Sequence, residues 1–227
     1  MHFRKKYSKA IVTGGAGFIG SHLCEELVKL DIDVLSIDDF SAGKDENLGF
    51  LESYNNFRSV KCDITNKDQL SEYFKDVDIV FHNAASKKTV CLKDPRRDLQ
   101  VNADGTLILL QLALKHGVKK FVHASTGSVY GEAQYFPQDE NHPLIPASYY
   151  GVSKLAGEKY VNLFHELYNL DTTVLRYFHV FGPRQESNEF GGVVSIFIRN
   201  MINNENPIIF GDGTQERSFT FVKDVVS

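Results

Sequence analysis

Tyr150 and Lys154 place a weak acid and a cation four residues apart, so both side chains should lie on one face of a helix. A free tyrosine titrates at about pH 10 and is a poor base at neutral pH. Lowering its pKa to about 7 requires roughly 4 kcal/mol of phenolate stabilisation. A nearby ammonium and a second positive charge could supply it. The pair predicts proton abstraction, although the same spacing also occurs on solvated helix faces, and this segment is rich in tyrosine.

Thr126 is a second candidate for the same site. It lies just beyond the predicted strand Lys120–Ala124. In open α/β sheets, ligands bind at the carboxyl ends of the strands. The Thr126 hydroxyl is therefore placed where it could orient a substrate oxygen.

Gly14, Gly17 and Gly20 form a GxxGxxG loop between the first predicted strand and the first predicted helix. Glycine permits the tight turn and lets backbone N–H groups approach a pyrophosphate, which then faces the helix N-terminus. The loop predicts a dinucleotide site, and the alternative is a glycine-rich β–α turn without a ligand.

Asp38 ends the second predicted strand, 18 residues after Gly20. A carboxylate at this position can accept both ribose hydroxyls of an adenosine, and its charge would repel a 2′-phosphate. Asp39 adds a second negative charge. The alternative is a turn aspartate before Phe40–Gly43. Together with the glycine loop, Asp38 favours NAD over NADP, and the positive nicotinamide ring would then help Lys154 to stabilise a Tyr150 phenolate.

Strand-like and helix-like segments alternate along the first part of the chain. The predicted strands are Lys9–Val12, Asp33–Ile37, Phe57–Cys62, Ile79–His82, Lys120–Ala124 and Thr172–Tyr177. The predicted helices are Gly17–Leu30, Lys67–Phe74, Asp94–His116, which Pro95 could break, and Ser148–Tyr168. This alternation predicts an α/β fold, a Rossmann-type doubly wound parallel sheet with helices on both faces.

The pattern changes after Phe181. The sequence then predicts a helix at Val193–Ile202, strands at Ile208–Phe210 and Ser218–Val222, and a helix that starts with Asp224 as its N-cap. We therefore expect an NAD-binding domain over residues 1–181, carrying the catalytic residues, and a small, partial substrate lobe over residues 182–227.

The composition limits the classes of function. The 227 residues include 42% hydrophobic and 24% charged residues, as in ordinary globular proteins, which disfavours disorder. The net charge of −4 argues against a nucleic-acid partner bound through bulk charge. The longest apolar run, Leu107–Leu114, is too short to cross a bilayer, and the N-terminus offers no signal-peptide core. Three scattered cysteines form no metal-ligand or disulfide pattern, so we expect no metal and a cytoplasmic location.

The ordered motifs along nearly the whole chain resemble those of the extended short-chain dehydrogenase/reductase family, in particular its NAD-dependent nucleotide-sugar epimerases and dehydratases. The matching segments are Gly14–Gly20, Cys62–Ile64, His82–Ala85, Asn102–Thr106, Ser125–Gly131, Tyr150–Lys154, Arg176–Gln185, Gly211–Thr214 and Arg217–Val225. The resemblance implies NAD as the cofactor and a nucleotide sugar, UDP-linked, as the substrate. Relatives continue well beyond Arg217–Asp224, so the substrate lobe is expected to be incomplete.

The resemblance also implies which residues bind NAD. The pyrophosphate would be held by Gly14, Gly17, Phe18, Ile19 and Gly20, the adenosine by Asp38, Asp39, Phe40, Ser41, Gly43, Asp63 and Ile64, and the nicotinamide side by Ala84, Ala85, Lys87, Asn102, Ser125, Tyr150, Lys154, Tyr177 and Val180.

The same resemblance assigns Tyr150 as the catalytic base, Lys154 as the residue that tunes it, and Thr126 as a hydroxyl partner. It implies substrate contacts from Lys87, Thr126, Tyr150, His179, Arg184, Val193 and Arg217. Arg217 would clamp the diphosphate, because a guanidinium matches phosphate geometry.

The two residues after Thr126 favour one reaction among those of the family. Dehydratases of the family usually carry an Asp-Glu pair there, and decarboxylases a Glu at the position of Ser128, whereas this chain has Gly127 and Ser128. A 4-epimerase needs neither acid, since it oxidises C4, turns the keto sugar and returns the hydride to the other face. The resemblance implies a UDP-hexose or UDP-hexuronate 4-epimerase. A dehydratase, a decarboxylase and a shortened non-catalytic NAD-binding relative remain alternatives.

Two departures leave the sugar and the nucleotide base open. His179 stands where many relatives have Asn, and Ser218 where many have Asp. Relatives also pair their two long helices across a two-fold axis, so we expect a homodimer. The apolar residues expected on these helices are Leu107, Leu110, Leu114, Val161, Phe164 and Leu167.

Overall fold

The computed structural model of the protein describes residues 6–86, 88–188 and 191–227. The chain divides into two compact units, Met1–Tyr177 and Phe178–Ser227. This division falls four residues before the boundary that the sequence predicts, so Phe178–Phe181 belong to the second unit rather than to the first.

The first unit is built on a six-stranded parallel sheet. Its strands are β1 (Lys9–Thr13), β2 (Asp33–Asp38), β3 (Phe57–Lys61), β4 (Ile79–His82), β5 (Lys120–Thr126) and β6 (Thr172–Tyr177). They lie in the order β3-β2-β1-β4-β5-β6, and every neighbouring pair is parallel. The order reverses between β1 and β4, which creates a switch point at their carboxyl ends. The predicted Rossmann-type fold is confirmed.

Helices connect these strands. They are α1 (Phe18–Lys29), α2 (Lys67–Ser71), α3 (Lys88–Lys93), α4 (Pro95–Leu99), α5 (Thr106–Lys115) and α6 (Tyr149–Tyr168). The single helix predicted over Asp94–His116 is wrong in detail, since a π-helical segment, Gln100–Gly105, separates α4 from α5. Asp94 instead caps α4, where its side chain accepts a hydrogen bond from the backbone nitrogen of Arg97 at 2.9 Å.

Alternating residues of the central strands fill the two faces of the sheet. Val12 packs in a cluster with Leu27 of α1, whereas Ile11 packs in a cluster with Leu109 and Leu112 of α5. Burying an aliphatic side chain of this size contributes about 1.5–3 kcal/mol. The central strands, which are packed with α1 on one face and α5 on the other, are therefore buried on both faces. This packing holds in place the carboxyl ends of the strands, which carry the candidate site.

The helices α5 and α6 pack against each other in the same unit. Of the six apolar residues expected on these helices, part of which must cover the sheet, Leu110, Val161 and Phe164 are buried in the core. Leu114 and Leu167 are exposed, at 39% and 66% of their surface. The apolar residues of these helices are therefore divided between the core and the exposed surface.

The second unit contains a two-stranded parallel sheet of β7 (His179–Phe181) and β8 (Phe219–Phe221), with α7 (Val193–Ile202) and α8 (Val222–Val226). The sequence missed β7, which has only three residues.

Two predictions for the second unit are wrong. Residues Ile208–Phe210 form no strand and are exposed, and Pro207 just before them has no N–H to donate to a ladder. Asp224 is not an N-cap, because the backbone becomes helical directly after β8 and Phe221 takes the cap position. Among the helices of the described ranges, none is long and apolar enough to cross a membrane.

Candidate active site

The glycine loop between β1 and α1 lies against the segment that follows β4. Gly14 has φ +68°, a left-handed conformation that glycine adopts without strain, and its backbone nitrogen donates to the carbonyl of Ile37 at 2.8 Å. A Cβ atom at Gly14 would stand 2.6 Å from the backbone nitrogen of Ala84. Only glycine therefore lets the loop close over the switch point.

The N-terminus of α1 presents backbone donors that side chains leave free. Gly17 occupies the N-cap position and makes no side-chain cap hydrogen bond, and the first turn carries no acidic residue. Phe18, Ile19 and Gly20 form this turn. Free N–H groups together with the helix dipole favour an anion at this place. The segment suits a pyrophosphate, as the sequence predicts.

The carboxylate of Asp38, the last residue of β2, is oriented by two backbone donors. Oδ2 accepts from the Ala16 nitrogen at 3.0 Å, and Oδ1 accepts from the Phe40 nitrogen at 2.9 Å. Burial raises the pKa of Asp38 above its usual value, although these two bonds oppose the rise. The side chain is thus fixed beside the glycine loop, where the sequence predicts the adenosine ribose.

The segment after Asp38 folds back onto the glycine loop. Lys44 donates its backbone nitrogen to the Ala16 carbonyl at 3.0 Å, and the Asn47 side chain donates to the same oxygen at 2.9 Å. Asp39 accepts from the backbone nitrogen of Ser41 at 2.9 Å. The structure therefore keeps Asp39, Phe40, Ser41 and Gly43 next to Asp38, at the predicted adenosine end of the site.

Arg97 is an addition to this end of the site that sequence reasoning missed. Its guanidinium lies 2.6 Å from Oδ2 of Asp63 and 3.6 Å from Oδ2 of Asp39. Burial raises the pKa of Asp63, but hydrogen bonds from Thr65 and Arg97 lower it more, so the net pKa is below the usual value. Two predicted adenosine contacts, Asp39 and Asp63, are thus joined by one cation. The buried Ile64 follows Asp63 directly.

The β4–α3 connection is held by Asn102 of the π-helical segment. Oδ1 of Asn102 accepts from the Ser86 nitrogen at 2.9 Å, and the Ala84 nitrogen donates to the Thr13 hydroxyl at 3.3 Å. These bonds position Ala84 and Ala85, which the resemblance places at the nicotinamide. Lys87 lies outside the described residues.

One face of α6 is buried and polar. The helix is capped by Ser148, whose hydroxyl accepts from the Gly151 nitrogen at 3.0 Å. Ser153, Lys154 and Glu158 are all buried on this helix. Lys154 is only 1% exposed, and its Nζ has no hydrogen-bond partner among the described residues. A buried ammonium without a partner is costly, and a ribose hydroxyl at this place would satisfy it.

The pKa values of Lys154 and Tyr150 both differ from their usual values, and burial is the largest cause of each shift. Burial lowers the pKa of Lys154 to about 8, although the charges of Glu158 and Asp98 oppose it. Burial also raises the pKa of Tyr150 to about 12, with smaller contributions from Asp98 and Cys91. The protein alone therefore does not make Tyr150 a base at neutral pH, and a positive charge beside it is required.

Thr126 is the last residue of β5 rather than the residue beyond it, and it is the register partner of Tyr177 on β6. Its hydroxyl oxygen accepts from the Ser128 nitrogen at 3.1 Å and donates to the Ser128 hydroxyl at 3.2 Å. Burial raises the pKa of Tyr177 to about 12. Both residues end their strands at the carboxyl edge of the sheet, which is where the sequence places Thr126.

A charged cluster lies beside these residues. Glu158 accepts a hydrogen bond from the Ser125 hydroxyl, and the Arg176 guanidinium binds the same carboxylate, with Nη2 2.8 Å from Oε2. Arg176 also donates to the hydroxyl of Tyr130 at 2.8 Å. The cluster ties α6 to β5 and β6. Sequence reasoning assigned Ser125 to the cofactor and found no partner for Glu158, since their contact depends on the folded chain.

The remaining predicted residues belong to the second unit. His179 and Val180 are in β7, Arg184 has φ +65°, and Val193 begins α7. Arg217 is exposed and donates to the carbonyl of Glu216 at 2.7 Å. Their implied roles remain predictions. Within the described ranges, no group of three or more His, Cys, Asp or Glu side chains could hold a metal ion.

The family model described as the NAD dependent epimerase/dehydratase family matches residues 10–227. The match covers the glycine loop, Asp38 and the buried face of α6. The chain belongs to this family. The family description names NAD, which confirms the cofactor predicted from Gly14–Gly20 and Asp38. A glycine cradle at the start of α1 and a buried Lys154 ammonium, which no described residue hydrogen-bonds, fit that cofactor.

Two proteins named for reactions on UDP-sugars are similar to the chain. The UDP-glucose 4-epimerase of Mycolicibacterium smegmatis is 42% identical over 225 residues, which cover 96% of this chain and 71% of that protein. The UDP-N-acetyl-alpha-D-glucosaminuronate decarboxylase of Bacillus cytotoxicus is 37% identical over 225 residues, covering 96% of this chain and 68% of that protein.

A solved structure in the epimerase/dehydratase family agrees with the fold. The UDP-N-acetylglucosamine 4-epimerase of Methanobrevibacter ruminantium, in complex with UDP-N-acetylmuramic acid, matches with a TM-score of 0.92 and 40% identity. The match covers 97% of this chain and 71% of that structure's chain. An epimerase and a decarboxylase are thus both similar to this chain, and the reaction has to be argued from the site.

Proposed function

We propose that the chain is an NAD-dependent nucleotide-sugar 4-epimerase that acts on a UDP-hexose or a UDP-hexuronate. The observation that carries the proposal is the contact between Thr126 and Ser128. The Ser128 nitrogen and hydroxyl are both engaged with the Thr126 hydroxyl. The positions where the resemblance puts the additional acids of dehydratases and decarboxylases therefore hold a glycine and an engaged serine.

The chain's own residues supply the acid–base chemistry of the proposed reaction. Tyr150 removes the proton from the C4 hydroxyl of the sugar, and Thr126 orients that oxygen. Lys154 binds the cofactor ribose, and its ammonium together with the positive nicotinamide ring stabilises the phenolate of Tyr150, whose pKa burial raises to about 12 in the protein alone. When bound, NAD supplies the acceptor and donor of the hydride.

Epimerisation requires no further acid or base from the protein. It requires only enough space for the keto sugar to rotate. The same Tyr150 hydroxyl returns its proton to the C4 oxygen after the turn. The buried cluster of Ser125, Glu158 and Arg176 keeps the end of β5 in place during both half-reactions. The resemblance assigns the nucleotide diphosphate of the substrate to Arg217 and Arg184, with further contacts from His179, Val193 and Lys87, and these assignments belong to the proposal.

Decarboxylation is the second candidate, because a decarboxylase is 37% identical to the chain. The sequence identity of that decarboxylase to the chain is lower than the 42% identity of the UDP-glucose 4-epimerase. The lack of a carboxylate at Ser128 also speaks against it. A non-catalytic NAD-binding relative would need Lys154 for the cofactor ribose but would have no use for Thr126 and Tyr150, so the presence of all three residues speaks against it.

We also propose a homodimer in the cytoplasm. Tyr160, Leu163 and Leu167 form an exposed stripe on α6, and Leu114 is exposed on α5, which packs against α6. A second copy that packs its own α5 and α6 on this stripe would remove it from water. The three cysteines are buried, and none forms a disulfide within the described residues, which agrees with a reducing compartment.

The product formed from a panel of nucleotide sugars tests the proposed reaction. The protein is incubated with NAD and UDP-glucose, UDP-N-acetylglucosamine or UDP-glucuronic acid, and the products are followed by NMR. The proposal predicts a C4 epimer of unchanged mass from at least one of them. Loss of carbon dioxide or water would establish one of the other chemistries, and tight NAD binding without any product would establish a non-catalytic relative.

A Thr126→Val sample is the matched control for this assay, because it removes one hydroxyl and keeps the shape of the side chain. We expect slower epimerisation with NAD binding unchanged. If the variant turns over as fast as the natural chain, Thr126 has no role in orienting the sugar oxygen.

A further inference from the structure

Asp98 on α4 is a buried acid that the reaction described above does not use. Its side chain is 1% exposed. Oδ1 accepts from the Asn102 amide at 3.0 Å, and Oδ2 accepts from the Ser153 hydroxyl at 2.6 Å. Both carboxyl oxygens therefore act as acceptors, which is the pattern of an ionised carboxylate.

No ion pair neutralises Asp98 within the described part of the chain. Its hydrogen-bond donors, Asn102 and Ser153, are both neutral. An isolated charge in the interior is expensive, so a buried carboxylate needs a cation nearby. Ser153 is the residue directly before Lys154, whose buried Nζ has no hydrogen-bond partner among the described residues. The charge of Asp98 acts on this ammonium and opposes the fall in its pKa that burial causes.

Lys154 is surrounded by groups whose charges are otherwise accounted for. Glu158 on α6 is bound by Arg176, whose guanidinium matches its charge. His82 on β4 has both ring nitrogens within hydrogen-bond distance of threonine hydroxyls, 2.8 Å from Thr13 and 2.9 Å from Thr106.

The two histidines that face Lys154 are neutral. Burial holds the pKa of His82 and of His123 on β5 well below the usual value, and the charge of Lys154 lowers both further. Ser125 on β5 and the hydroxyl of Tyr150 on α6 are also neutral at pH 7. Two acids raise the pKa of Lys154, first Glu158 and then Asp98. Glu158 is paired with Arg176, whereas Asp98 has no ion-pair partner within the described residues.

We propose that Asp98 is a positioning residue whose negative charge keeps the buried Lys154 ammonium protonated at neutral pH. Asn102 and Ser153 hold the carboxylate in the orientation that serves this purpose. The consequence for catalysis rests on the proposed function, because an uncharged Lys154 could not stabilise a Tyr150 phenolate. The protonation of Lys154 itself can be measured whatever the reaction is.

The titration of Lys154 tests the proposal directly. The full chain is labelled with [ε-¹³C]lysine, the Lys154 signal is assigned from its loss in Lys154→Arg, and its pKa is followed by NMR without cofactor. In Asp98→Asn, which keeps the shape and removes the charge, we expect the Lys154 pKa to fall by about one unit or more. An unchanged Lys154 pKa would overturn the proposal.

Two further variants separate charge from structure. Asp104→Asn removes an exposed acid of the same helical region, and the Lys154 pKa should not move. Ser153→Ala removes a hydrogen bond to Asp98 but keeps its charge, so the Lys154 pKa should stay close to that of the natural chain. If Ser153→Ala and Asp98→Asn lower it equally, Asp98 acts through packing and the proposal is wrong.

A measurement on the natural chain covers the case in which Asp98→Asn does not fold. The ¹³C signal of the Asp98 carboxyl should show an ionised group at neutral pH, and it should shift again as Lys154 loses its proton at higher pH. A carboxyl that is protonated at neutral pH, or one that does not respond to the Lys154 titration, would contradict the proposal.

Discussion

The backbone nitrogen of Ala16 donates a hydrogen bond of 3.0 Å to the carboxylate of Asp38. This bond joins the glycine loop to the end of β2, so the acid that is predicted to read the ribose and the loop that is predicted to hold the pyrophosphate are oriented together. Because the loop and the carboxylate already hold each other in place, a bound dinucleotide loses little free energy in ordering them.

Replacing the Asp38 side chain should weaken NAD binding and reduce the preference over NADP. Hydrogen bonds to a charged group contribute about 1.5–3 kcal/mol, so Asp38→Ala should weaken NAD by roughly 10- to 100-fold. Isothermal titration with both dinucleotides measures the two affinities. Asp33→Ala, an exposed acid at the other end of β2, is the control and should bind NAD normally. NADP binding as tight as NAD binding to the natural chain would contradict this account of Asp38.

Tyr150→Phe should reduce turnover by about 100- to 10,000-fold, the range that general base catalysis supplies. The variant removes only the hydroxyl, so NAD affinity and the unfolding midpoint should stay close to those of the natural chain. Tyr149→Phe makes the same change at the neighbouring exposed position and should keep full activity. The role of Tyr150 is refuted if the two variants turn over at the same rate.

Gly14→Ala should destabilise the fold and abolish NAD binding. The left-handed φ of +68° costs a residue with a side chain about 1–2 kcal/mol, and the new Cβ would also press on the backbone of Ala84. Urea unfolding measures the loss, which we expect to be about 2 kcal/mol or more. Gly49→Ala is the control, because no atom lies within 4 Å of its added Cβ. Equal stability of the two variants would show that the loop can rearrange.

Leu167→Glu should convert the proposed dimer into a monomer. Leu167 is 66% exposed on the α6 stripe, and a charge placed there would have to be buried between two copies. Light scattering should give twice 25.6 kDa for the natural chain and 25.6 kDa for the variant. Leu30→Glu, an equally drastic change at the end of α1, should remain dimeric. A natural chain of 25.6 kDa at micromolar concentration would exclude the dimer.

The backbone parts of the fold could be predicted from the sequence because they follow local rules. The strands Ile79–His82 and Thr172–Tyr177 have the predicted bounds, since short apolar runs between polar segments mark them clearly. The π-helical Gln100–Gly105 was not predictable in this way, because its sequence fits an ordinary helix and its widened turn has no local signature.

The side chains that support the site were largely missed. Arg97, Asp98 and Glu158 are ordinary charged residues of helices in the sequence, and only the fold brings them to Asp63, Ser153 and Arg176. Such contacts join segments between 18 and 55 residues apart, so no spacing rule reports them. One of these residues, Glu158, could have been found from the sequence. It lies four residues after Lys154 on the same helix, so the two side chains share one face and one buried environment.

The fate of the hydrogen at C4 tests the proposed reaction most directly. Each nucleotide sugar of the panel is prepared with deuterium at C4 and incubated with the protein and NAD, and the product is examined by NMR and mass spectrometry. The proposal predicts an inverted C4 that still carries its deuterium, because the same hydride leaves and returns within one site. An inverted product that has exchanged its deuterium with water, or a product that has lost water or carbon dioxide, would contradict it.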